Sequence, residues 1–124
     1  MVCSHKENLY LVRSKKRYML YTLVHKKLVS LERGLLLRKR LPVTQPSPQA
    51  MQSHIPFAAD TMSFEQWLQF IFFPQMYQLI NQKRPLPRQM GLAPMAEYVW
   101  GNDPALNDLI KQFKAFDFLF DDIN

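Results

Sequence analysis

The chain is poor in the residues that small proteins use as staples and in those that build tight turns. Its 124 residues include a single cysteine, Cys3. A disulfide framework within the chain is therefore excluded, and a reducing compartment fits. Three glycines are few for a β-rich fold with many turns, and Gly34, Gly91 and Gly101 stand alone, so no glycine-rich phosphate loop is present. No apolar run approaches the length of about 18 residues that a membrane span needs. The N-terminus is polar and basic, without the apolar region of a signal peptide. These absences lead us to expect a cytoplasmic protein with no membrane contact.

Catalytic patterns are missing as well. Cys3 and His5 are close in sequence, but His25 and His54 lie far along the chain, and no set of four ligands has the spacing of a zinc site. The carboxylates Asp60, Glu65 and Glu97 show no spacing that singles out an acid–base pair. We expect no catalytic residues, no cofactor and no metal.

What is present is charge asymmetry and helical periodicity. The net charge of +6 is unevenly spread: residues 1–40 carry eleven Lys and Arg against two Glu, and residues 41–124 carry five against eight acids. The basic run Arg13, Lys15, Lys16, Arg17, Lys26 and Lys27 is interleaved with Tyr10, Tyr18 and Tyr21. It offers phosphate contacts and stacking rings to RNA. A solvated basic face explains the same run without a partner.

Four helices are predicted. Between Met19 and Arg40, the residues Leu20, Val24, Leu28, Leu31 and Leu35 recur at spacings of four and three, forming one stripe. Residues 1–18 read as a basic tail, and 19–124 as the folded domain. Residues 41–62, with Pro42, Pro46, Pro48 and Pro56, make a long crossover loop whose anchor candidates are Ile55, Pro56 and Phe57. A second helix starts at Ser63, where Gln66 three residues on completes a capping box and Met62 faces Trp67 as a hydrophobic staple. It runs to about Arg84. Pro74 in its body removes a backbone donor to Phe70 and predicts a kink, with each half facing a different neighbour. A third helix is expected over 94–100 with Gly101 as its stop. The fourth opens on Asp103 as N-cap and Pro104 as first residue, and buries Leu106, Leu109, Ile110, Phe113, Phe116 and Phe120. Asp117, Asp121 and Asp122 crowd its C-terminal end, where acid opposes the helix dipole, so fraying is expected after about Phe120. The fold class is all-α: a four-helix bundle with a long Pro-rich crossover and a proline-kinked central helix.

The central motifs Asp60-Thr-Met62, Glu65-x-Trp67-Leu-Gln-Phe70, Pro74-x-Met76 with Leu79, Pro85-Leu86-Pro87 and Ala93-Pro94, together with Leu31-Glu32, resemble the YqcC-like family. The resemblance covers about residues 19–124. It implies a small bacterial four-helix bundle, and it carries over no catalytic residue because the family has none assigned. Family members are often encoded near a tRNA-modifying enzyme. In the proline-rich loop the chain departs from the family, placing Ala50 and Met51 where members tend to have aromatics.

The expected role is a non-enzymatic protein-interaction or accessory module with a protein partner, docking through Phe72, Phe73 or Met76, or forming a homodimer through Phe72 or Phe73, if these stay exposed. Core packing explains the same three residues. The alternative is an RNA- or tRNA-associated accessory protein using Arg13, Lys15, Lys16, Arg17, Lys26 and Lys27.

Overall fold

The aromatic and aliphatic stripes found in the sequence converge on one core. The structure, a computed structural model, describes the backbone of residues 4–42, 44–87 and 90–123, and side chains within 19–120. Helix α1 spans Ser4–Leu37, α2 Phe64–Trp67, α3 Phe73–Asn81, α4 Leu92–Trp100 and α5 Asn107–Ile123. A π turn, Leu68–Phe72, joins α2 to α3 without a break, so four helical rods make up the fold. Among the described residues there is no strand.

Val24, Leu28, Leu31 and Leu35 of α1 are buried, as their spacing predicts, and Leu20 is half-buried. All six apolar positions expected along the last helix are buried too. Helix α1 is continuous from Ser4, however, so the expected boundary between tail and domain at residue 19 is not a break in the helix. Its C-terminus closes with a pair of crossed backbone bonds, Arg40 N–H to Leu35 O and Lys39 N–H to Leu36 O, with Lys39 at φ 55°. That is a Schellman cap with lysine in the left-handed place glycine usually takes. Helix α3 ends the same way: Arg84 donates to Leu79, Lys83 donates to Ile80, and Lys83 has φ 53°.

The capping box at Ser63 is present in both directions: Gln66 N–H donates to Ser63 Oγ at 3.1 Å, and Ser63 N–H donates to Gln66 Oε1 at 3.0 Å. Phe57 packs at the same place: it lies edge-on to Trp67 at 4.9 Å, and it also meets Phe64. Phe57 and Ala58 both have positive φ (60° and 48°), a conformation that L side chains rarely adopt. This bend turns the Phe57 ring under α2. Ile55, the other expected apolar anchor, is half-exposed instead.

Pro74 acts through the π turn. Phe73 N–H bonds back five residues to Leu68 O. The wider turn absorbs the donor that proline lacks and the room its ring needs. It also slips the helical phase by about one residue. As a consequence Phe64, Leu68, Phe72, Phe73 and Met76 all enter the same core. The two halves do meet different neighbours, α2 against α4 and α3 against α1. Aromatic contacts to Phe113 and Phe116 of α5 join them.

The N-terminus of α4 has no cap of its own. Gly91 is left-handed at φ 63°, and the exposed amides are taken by Asp117 from α5: Leu92 N–H donates to Oδ1 at 3.0 Å and Ala93 N–H to Oδ2 at 2.7 Å. A carboxylate at a helix N-terminus meets both the free donors and the favourable end of the dipole. The aspartate that opposes its own helix is therefore the cap of another. Helix α5 also continues to Ile123, past the expected fraying point, after a 3₁₀ turn at Pro104–Leu106 capped by Asp103.

Candidate functional site: a basic groove between α1 and α5

The apolar candidates do not form a surface. Phe72, Phe73 and Met76 are 6%, 3% and 2% exposed. They belong to the core because the π turn rotates them inward, which corrects the expectation of a docking or dimer face there. Tyr98 and Phe118, large apolar side chains that are exposed, were not among the residues singled out from the sequence.

The basic candidates divide. The side chains of Arg13, Lys15, Lys16 and Arg17 lie outside the described residues, as do those of Tyr10 and Tyr18. Lys26 and Lys27 are adjacent in sequence and so sit about 100° apart around α1. Lys26 lines a shallow cleft of about 280 Å³ with Tyr21, His25, Ile80 and Lys83, between α1 and α3. There Tyr21 donates its hydroxyl to Arg84 O at 2.6 Å, which ties the ring down at the helix junction.

Lys27 faces the other way, into a larger groove of about 500 Å³ between α1 and α5. Arg33 of α1, Arg38 just past its end and Lys111 of α5 share it. Sequence reasoning missed these three as site residues. The groove exists because the facing positions are small: Ser30 and Gly34 on α1, Ala115 on α5. Gly34 is buried, and a Cβ there would come 3.1 Å from Leu109 Cδ1, so glycine is what lets α5 approach this closely. Arg38 donates from Nη1 to Gly34 O at 3.1 Å, which pins one edge of its guanidinium to the groove wall.

Ion pairing removes other cations from this end of the molecule but not these. Arg40 pairs with Asp103 at 3.3 Å, and Lys114 pairs with Glu97. No ion pair among the described residues involves Lys27, Arg33, Arg38 or Lys111. Among the described residues no acidic side chain lines the groove. Asp108, one turn before Lys111 on α5, is the acid closest along that helix.

A second polar feature lies in the seam between α1 and α3. Burial first, then the hydrogen-bonding influence and negative charge of the Glu32 carboxylate beside it, raise the Tyr77 pKa well above the usual phenol value. His25 stands edge-on to Tyr77 at 5.4 Å. Glu32 Oε1 and Gln69 Oε1 are buried with no partner. Trp100, also buried, donates its indole N–H to Glu65 Oε1 at 2.6 Å. Among the described residues no group of three or more His, Cys, Asp and Glu comes together as a metal site. No described helix is long and apolar enough to cross a membrane.

Comparison with known proteins follows the fold closely. The DUF446 family model, described as tRNA pseudouridine synthase C, matches residues 23–119. The uncharacterized protein YqcC of Escherichia coli (strain K12) is 34% identical over 79 residues, which cover 63% of this chain and 72% of that protein. An uncharacterized protein of Haemophilus influenzae is 33% identical over 72 residues, covering 58% of this chain and 68% of that one. A tRNA pseudouridine synthase C from Pectobacterium carotovorum subsp. carotovorum is 38% identical over 65 residues; these cover 52% of this chain but 17% of that protein. The solution NMR structure of YqcC from E. coli superposes with a TM-score of 0.74 at 30% identity, covering 83% of this chain and 89% of that one.

Proposed function

We propose that this chain, which belongs to the DUF446 family of YqcC-like proteins, is a non-enzymatic accessory module in tRNA pseudouridine formation, acting by contact with another macromolecule. The observation that carries the proposal is the distribution of the shared segment. It accounts for most of two small uncharacterized relatives, yet for 17% of a tRNA pseudouridine synthase C. A segment found in both settings is a separable module. Covalent linkage to a synthase raises the effective concentration of the two parts, which is useful when they serve one substrate or one complex.

The geometry agrees with binding rather than catalysis. The core is filled with side chains from all four rods, and the two clefts described above are open at the surface. Function on such a bundle is carried by its faces. The test is to measure pseudouridine formation by the tRNA pseudouridine synthase C of the same organism, with and without this chain. The chain alone should form no pseudouridine. Its addition should lower the synthase's KM for tRNA or raise the yield at limiting tRNA. No change in either parameter at saturating chain refutes the proposal.

A further inference from the structure

We infer that the groove between α1 and α5 is a binding site for the phosphodiester backbone of RNA. The inference rests on the accessory role just proposed and names the contact through which it is exercised. Lys27, Arg33, Arg38 and Lys111 border one continuous depression. From Lys27 to the end of α1 at Leu37 the helix rises by roughly 15 Å, and Arg38 follows directly. A free phosphate ion would meet one or two of these cations. A strand of linked phosphates engages them in series, and the cations are spread along the groove rather than gathered at a point.

Three features distinguish the groove from an ordinary solvated basic face. First, the cations border a concave surface, where low-dielectric walls focus the field more than on a convex one. Second, nearby acids neutralise neighbouring cations, Arg40 by Asp103 and Lys114 by Glu97, while the four groove cations keep no carboxylate partner among the described residues. Third, Arg38 is held by its bond to the Gly34 carbonyl, so part of the cost of ordering a long side chain is already met before a ligand arrives. Ser30 and Gln112 add neutral polar groups within the groove. Arg33 and Arg38 suit bidentate phosphate contact, and the two lysines act as point charges.

The inference has a quantitative signature. Each neutralised phosphate contributes about −0.7 to −0.9 to the slope of log K against log salt. Four groove contacts then account for a slope of about −3, or about 60-fold weaker binding between 50 and 200 mM salt. The experiment measures binding of the full chain to a tRNA transcript by fluorescence anisotropy across that salt range. Three proteins are compared: the natural chain, Lys27→Ala/Lys111→Ala in the groove, and Lys26→Ala/Lys83→Ala on the α1–α3 side. Both double variants change charge equally and alter only exposed positions. A thermal melt of each verifies the fold.

The groove variant should lose about 1.6 units of slope and bind about 40-fold more weakly at 0.1 M salt. The control should retain the groove's share and bind more tightly than the groove variant. If the natural chain binds tRNA with a steep slope and the groove variant matches it, the inference is overturned and the accessory role stands. If the natural chain fails to bind tRNA yet stimulates the synthase, the groove assignment falls and the contact is with protein. If it neither binds nor stimulates, both proposals fall.

Discussion

Replacing Asp117 with alanine tests whether α4 is held by a carboxylate from another helix. The carboxylate accepts from two consecutive amides, at 3.0 and 2.7 Å, at a helix start that has no side-chain cap of its own. Loss of an N-cap side chain costs about 0.5–2 kcal/mol, and the charge also favours the positive end of the dipole by about 0.3–1 kcal/mol. Because Asp117 is only half-buried, water can replace part of what is lost. These bounds place Asp117→Ala at about 2 kcal/mol. For a chain of 124 residues that corresponds to a fall in Tm of about 8 °C. Asp117→Asn keeps one acceptor oxygen and should cost about half as much. Urea unfolding measures the energies, and the m-value should not change. Since Asp117 makes a further interaction of its own, stability alone does not isolate the cap. Hydrogen exchange at the Leu92 and Ala93 amides does. Alanine should remove protection there before it does so in α1 or α5. A loss under 0.5 kcal/mol, or unchanged protection at those two amides, would refute the capping role.

Three further predictions rest on separate contacts. Lys39→Gly relieves a left-handed lysine in the Schellman cap of α1 and should stabilise by about 1 kcal/mol in urea unfolding; a neutral or negative effect would show that the strain is absent. Glu65→Ala strands the buried indole N–H of Trp100 and should cost about 1–3 kcal/mol, with Glu65→Gln closer to the natural chain because it keeps an acceptor. Equal stability of all three proteins would contradict the bond. Tyr77 has its pKa raised by burial and by Glu32. The unfolded chain therefore releases this proton first as pH climbs past about 10, and the folded state loses stability with further increase in pH. Tyr77→Phe should flatten that alkaline slope, and tyrosinate absorbance should show Tyr77 as the residue missing from the ordinary titration near pH 10; an unchanged slope and a normal titration would contradict it.

Relations between near neighbours were legible in the sequence. The capping box of Ser63 and Gln66, the Asp103–Pro104 start, and the stripes of α1 and α5 all depend on residues no more than four apart, and each stands where the local pattern places it. Such features require only that the local backbone be helical, which the same residues favour. The site was less legible. Lys27 was identified, but its neighbour Lys26 turns to a different cleft. Arg33, Arg38 and Lys111 went unrecognised because charge runs along the chain do not report which face of a helix a residue occupies. One signal was available: Ser30 and Gly34, small residues one turn apart on α1, mark where another helix approaches.

By itself, then, the sequence determined that the chain is helical, where most of its helices begin and end, and which stripes are apolar. Only the tertiary structure decided that Phe72 and Phe73 turn inward, because one extra residue in the π turn shifts the phase of everything after it. It also decided that Asp117, unfavourable on its own helix, completes α4 across 24 and 25 positions of sequence. Lys27 and Lys111 meet at one groove for the same reason: antiparallel packing over a glycine brings together charges that no local rule connects.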